Sequence, residues 1–177
     1  MKIIHTPNDV LLKKAARVEK ITPEVTKIIE EMKTTLKGSN IGIGLAAPQV
    51  GISLQLFLAA PTLQEKRKTP APINVFINPE IMSYIGDVVK PDDKALEGCL
   101  SIPDVWGPVS RYQIVKLKYM DETGKVRSKT FTGLMATIVQ HEVDHLNGVL
   151  FTHHVVEQNG RLFRVNKETE KLEEIEM

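Results

Sequence analysis

A single cysteine, Cys99, stands in a chain of 177 residues, so no internal disulfide can form. Such usage points to a reducing compartment, and a cytoplasmic protein is expected. There is no excess of either charge: 23 basic residues against 22 acidic ones leave +1 at neutral pH. That gives no electrostatic case for nucleic-acid binding. No apolar run approaches the length needed to cross a membrane. The start, Met1-Lys2-Ile3-Ile4-His5-Thr6-Pro7, has neither the apolar core of a signal peptide nor the Arg and Ser of a transit peptide. Repeats, low-complexity tracts and domain linkers are also missing. What is present is ordinary for a soluble globular protein, 42% hydrophobic and 25% charged, and the length suits one domain over residues 1–177.

Thr22-Pro23-Glu24 reads as an N-cap followed by proline in the first helical turn. Val25, Ile28, Ile29, Met32 and Leu36 then recur at helical spacing up to Gly38, which predicts one amphipathic helix. Short apolar or alternating runs at Gln55–Ala60, Asn74–Asn78 and Ile81–Ile85 read as strands. Ile114–Met120 and Lys125–Phe131 flank the turn Asp121-Glu122-Thr123-Gly124 as a hairpin. Lys66-Arg67-Lys68 falls in a polar segment read as a solvated loop. A second helix is expected from about Thr132 to Leu146, stopped by Asn147-Gly148. It is apolar nearly all round, as a helix buried at the centre of a fold must be. The charged end, 166–177, is expected as frayed helix or disorder. The fold class is α+β: antiparallel sheets packed around a buried central helix, with an N-terminal amphipathic helix.

That central helix carries His141-Glu142-Val143-Asp144-His145, an H-E-x-x-H motif. Residues four apart share a face, so both histidines can hold one metal ion, and Glu142 can reach water beside it as a general base. The competing reading is a pair of hydrogen-bonded core histidines without metal. Two histidines leave a catalytic metal one protein ligand short. The extended H-E-x-x-H-x-x-G-x-x-H pattern fails here, because Gly148 matches but position 151 is Phe. His153 and His154 are offset and read as exposed or weakly packed. Glu157 and Glu168 remain open as downstream carboxylate ligands, as in a zinc endopeptidase. Cys99 is the better candidate. It lies in Glu97-Gly98-Cys99-Leu100-Ser101, a short non-helical segment before Pro103 where backbone can approach a ligand. A third class of function, a structural metal protein, would need a fourth protein ligand, and none is evident.

Gly42-Ile43-Gly44-Leu45-Ala46-Ala47-Pro48-Gln49-Val50-Gly51 lacks the spacing of a phosphate-binding loop. Two glycines in an extended segment suggest a second backbone alongside, such as a peptide substrate added as a strand. A buried turn of small residues fits equally well.

Together, Gly42–Gln49, Glu97–Ser101 and His141–His145 resemble the three motifs of the peptide deformylase family, in the family's order. Pro7–Val18, Ile77-Asn78-Pro79-Glu80 and Gln140–Phe151 also read like family sequence, so the similarity covers most of the chain. The resemblance implies removal of the formyl group from formyl-Met nascent peptides, met at the ribosome, with release of formate. It implies Cys99, His141 and His145 as metal ligands, Glu142 as general acid/base, and the Gln49 amide with the Leu100 N–H as donors to the formyl oxygen. Ligand type alone suggests zinc; the resemblance implies Fe(II) as native metal, with Zn, Ni or Co as substitutes. Helical spacing sets Leu134, Thr137 and Ile138 beside the metal face. With Ile43 and Gly44 they are expected to line a pocket for the first side chain, Trp106 lying further along the peptide. Trp106 stands where family members often have arginine. Arg111 is expected to pair with either Glu97 or Asp144.

Overall fold

In the computed structural model, residues 1–39, 42–60, 72–89, 96–166, 168–169 and 171–175 are described. Helix α1 spans Pro23–Lys37, with the Val25 N–H donating to the Thr22 hydroxyl at 3.4 Å and Gly38 as C-cap. Its buried stripe is Val25, Ile29, Met32 and Leu36, the periodic positions of the sequence. Each such side chain stabilises by roughly 1.5–3 kcal/mol when fully buried.

Five antiparallel strands make the main sheet: β1 (Gly44–Ala46), β2 (Leu56–Ala59), β3 (Asn74–Val89), β6 (Arg111–Met120) and β7 (Val126–Thr132), in the order β1-β2-β3-β6-β7. Helix α1 covers one face of it and α2 (Leu134–Leu146) the other. This explains why β2 reads as an unbroken apolar run. Leu56 and Leu58 pack toward α1, while Phe57 and Ala59 pack toward α2. The aromatic rings of Phe57 and Phe76 stack at 4.5 Å under α2.

The expected strands at Asn74–Asn78 and Ile81–Ile85 are one strand, β3. Pro79 suggested a break, yet the ladder absorbs it as a bulge between the pairs Ile77–Met120 and Glu80–Lys118. Asn78 makes this affordable. It adopts φ 49°, and its amide bonds both the N–H and the C=O of Val18 at 2.8 Å.

A second sheet joins β4 (Glu97–Cys99), β5 (Ile102–Gly107), β8 (Phe163–Val165) and β9 (Leu172–Glu174) in that order. The C-terminal end therefore corrects the expectation of frayed helix or disorder: among its described residues, Leu172–Glu174 form strand β9 and 168–169 a turn. The β5 edge templates β8, pairing Val105 with Arg164, and Glu173 and Glu174 of β9 lie across from Arg164 and Phe163. A short helix α3 (Phe151–Glu157) packs against β4 and β5 and was not expected. Helix α2 starts two residues later than expected, at Leu134, which is 55% exposed at the rim. The Lys66-Arg67-Lys68 segment lies outside the described residues.

Candidate metal centre

Helix α2 brings Ile138, Glu142 and His145 into the interior, and the end of β4 faces it with Cys99. Sγ of Cys99 and one ring nitrogen each of His141 and His145 lie within 4.8 Å of one another, the only such donor group among the described residues. Cys99 Sγ is 3.2 Å from His145 Nε2. Two further donors turn toward the sulfur: the Gln49 amide at 3.3 Å and the Ser101 N–H at 3.4 Å. The Gln49 orientation follows from its other end, whose Oε1 accepts from the Ala46 N–H at 2.7 Å. One soft thiolate and two imidazoles fit a divalent transition metal and leave a fourth position open.

The outer partners sharpen that fit. His141 Nδ1 is 2.9 Å from Glu97 Oε2, so Nδ1–H donates outward and Nε2 keeps its lone pair for the centre. Arg111 does not choose between Glu97 and Asp144. It grips Glu97 through Nε at 2.8 Å and Nη2 at 3.0 Å, and Asp144 through Nη1 at 2.6 Å. Burial would raise the Glu97 pKa, but its hydrogen bonds to His141 and Arg111 hold it at about 2. Burial pushes the His145 pKa well below its ordinary value, which keeps the ring neutral and fit to ligate. For His141 burial acts downward, but contacts with Cys99 and Glu97 lift it well above, a sign that this spot favours positive charge.

Glu142 is 3% exposed, and its Oε2 has no hydrogen-bond partner among the described residues. Burial first, and the nearby charges of Glu97 and Asp144 second, raise its pKa to about 7, against the opposing pull of His141. Such a carboxyl gives and takes protons near neutrality.

A cavity of about 560 Å³ opens over these groups. Its lining includes Ile43, Gly44, Leu100, Trp106, Leu134, Thr137 and Ile138. Leu96, Ile102, Val105, Val109 and Tyr112 also line it and were not singled out from the sequence. Ile102, Val105 and Tyr112 come from β5 and β6, and Leu96 and Val109 from the segments just before β4 and after β5, placements that only tertiary structure reveals. Gly98 is small for a reason other than ligand approach: a Cβ there would lie 2.7 Å from the Trp106 ring. His154 is no loose surface residue, since its Nε2 is 2.9 Å from Asp144 Oδ2. His153 is exposed and accepts the Leu150 N–H at 3.3 Å. Glu157 approaches His154, not the donor triad. The endopeptidase arrangement with a downstream carboxylate is therefore not favoured. Phe151, where a third histidine would stand in that longer motif, packs its ring 6.2 Å from that of His141.

Comparison with known proteins gives the same answer. Residues 1–161 match the family model described as polypeptide deformylase. The peptide deformylase of Afipia carboxidovorans is 44% identical over 150 residues, 85% of this chain and 83% of its own. That of Prochlorococcus marinus is 37% identical over 175 residues, 99% of this chain and 83% of its own. Among solved structures, a peptide deformylase from Synechococcus elongatus in complex with actinonin aligns with a TM-score of 0.77 at 38% identity, covering 89% of this chain and 87% of that one. One from Acinetobacter baumannii aligns with a TM-score of 0.76 at 34% identity, covering 87% and 98%. Sequence, fold and the donors gathered under α2 agree, and the chain belongs to the polypeptide deformylase family.

Proposed function

We propose that this enzyme removes the N-formyl group of nascent polypeptides with Cys99, His141 and His145 as ligands of one divalent metal ion and Glu142 as general acid/base. When bound, the ion supplies Lewis acidity that makes water a nucleophile at neutral pH. Glu142 takes a proton from the attacking water and returns it to the departing amine, leaving formate and a free N-terminus. The Gln49 amide, steered by the Ala46 N–H, and the Leu100 N–H donate to the charge that develops on the formyl oxygen. Arg111 and Glu97 fix the His141 ring through Nδ1. Ile43, Gly44, Leu134, Thr137 and Ile138 receive the methionine side chain, and Trp106 meets later residues. Fe(II) is the native ion in this reading, with Zn, Ni or Co able to replace it. The enzyme works in the cytoplasm, on chains emerging from the ribosome.

One observation carries the reading: sulfur and two imidazole donors converge beside the buried Glu142 carboxyl, on the floor of an open cavity. The test is formate release from formyl-Met peptides under anaerobic conditions, with metal analysis of the same sample. Formate release that depends on bound metal is expected. Cleavage of internal peptide bonds without formate would favour the endopeptidase instead.

A further inference from the structure

We propose that His154 is a positioning residue for the metal ligand His141, acting through Asp144, Arg111 and Glu97. The inference rests on the reading of His141 as a ligand. Four links connect the two rings: His154 Nε2 to Asp144 Oδ2 at 2.9 Å, Arg111 Nη1 to the same oxygen at 2.6 Å, Arg111 Nε and Nη2 to the Glu97 carboxylate at 2.8 and 3.0 Å, and Glu97 Oε2 to His141 Nδ1 at 2.9 Å. Donors and acceptors alternate along this path. His154 Nε2–H donates to Asp144, Arg111 donates to both carboxylates, and His141 Nδ1–H donates to Glu97. Side-chain exposure falls from 25% at His154 and 22% at Asp144 to 9% at Arg111 and Glu97. The inner links thus sit where charge-assisted hydrogen bonds are strongest.

Helix α3 reaches His141 a second way. Phe151, three residues before His154 and therefore on the same helical face, packs its ring against His141 with an interplanar angle of 25°. One face of α3 supports the ligand ring directly and holds the outer end of the path that fixes its Nδ1. Among the described residues no comparable path serves His145, whose Nδ1 has no hydrogen-bond partner there. The Arg111 guanidinium is shared between two carboxylates. Without the His154 N–H, Asp144 keeps Arg111 as its charged partner and draws it away from Glu97. Glu97 then restrains the His141 ring less well.

The test uses the Co(II)-loaded enzyme with His154→Leu and His154→Gln. Release of Co(II) to a chromophoric chelator and the visible absorption of bound Co(II) are measured beside the melting temperature. Loss of a direct partner of a ligand typically costs about 10–100-fold in metal affinity, so His154→Leu, three residues further out than Glu97, is expected to release metal about 3–10-fold faster. Its Co(II) bands should shift. His154→Gln keeps an N–H for Asp144 and is expected to stay close to the unsubstituted enzyme. An unchanged release rate and spectrum in His154→Leu, even with a lower melting temperature, would assign His154 to stability alone and overturn the proposal. So would a His154→Gln variant as fast as His154→Leu. If Cys99→Ala held Co(II) as firmly as the unsubstituted chain, the ligand assignment itself would fall, and this inference with it.

Discussion

Gly44 and Glu142 share one space. A Cβ built on Gly44 would lie 2.8 Å from Glu142 Cδ and closer still to Oε1. Strand β1 thus presses glycine backbone against the Glu142 carboxyl and helps to fix it, with α2 supplying the other side. This is a different reason for the glycine than room for a substrate strand.

Gly44→Ala is therefore expected to displace Glu142 while leaving the three metal donors in place. Formate release should fall on the order of 10²-fold, the scale of a general acid–base contribution. Metal content should be unchanged. Steady-state assay beside metal analysis checks both, and near-normal turnover would mean that Glu142 is not held by Gly44.

Gln49→Leu tests a residue with two bonded ends. The lost Nε2 donor should lower the rate by about 10²–10³, as removal of one oxyanion donor does. The lost Oε1 strands the buried Ala46 N–H, which should cost about 1–3 kcal/mol. Kinetics and denaturation of the same variant separate the two. A rise in KM alone would make Gln49 a substrate-binding or packing residue.

How much of this was legible in the sequence depended on the range of each interaction. Helix α1 was readable because its cap, proline and apolar stripe are all local. The H-E-x-x-H face was readable because helical geometry fixes residues four apart. The join of Cys99 to His145 spans 46 positions: the setting of Cys99 made it the better candidate for a third ligand, and the family resemblance, not spacing, implied the full set. β3 was split in error because Pro79 is a local break signal, while the Asn78 bonds to Val18 that absorb it span 60 residues. The C-terminal strands were missed because β8 forms on the β5 edge and β9 on β8, pairings with no local signature. Arg111 was seen to be paired, but only the fold showed that one guanidinium serves two carboxylates.

Arg111→Leu removes the charge that Glu97 and Asp144 share. The Glu97 carboxylate, 9% exposed, and the half-buried Asp144 would then face each other's field with, among the described residues, histidines left to them. Breaking a buried ion pair from one side costs about 3–5 kcal/mol. For a chain of this size each kcal/mol lowers the melting temperature by roughly 2–4 °C. A melt unchanged from the parent would show that water screens these groups. Loss of metal should accompany the loss of stability, because His141 depends on Glu97 for its orientation.

Ile138 tests the pocket for the first side chain. It is 4% exposed, lines the cavity, and belongs to the core under α2 with Phe131, Val115 and Val139. Phenylalanine there has two places to put its extra atoms. If they go into the core, overpacking costs about 1–3 kcal/mol, and every substrate suffers alike. If they go into the cavity, they take the space of a long, unbranched methionine side chain but not that of an alanine. Burying methionine is worth roughly 1.5–3 kcal/mol, which sets the largest preference available to lose. We expect the cavity outcome, because the open side offers less resistance than a packed interior. The ratio of kcat/KM for formyl-Met over formyl-Ala peptides should therefore fall in Ile138→Phe. An unaltered ratio in Ile138→Phe, together with a lower melting temperature, would place Ile138 in the core alone and move the methionine pocket elsewhere.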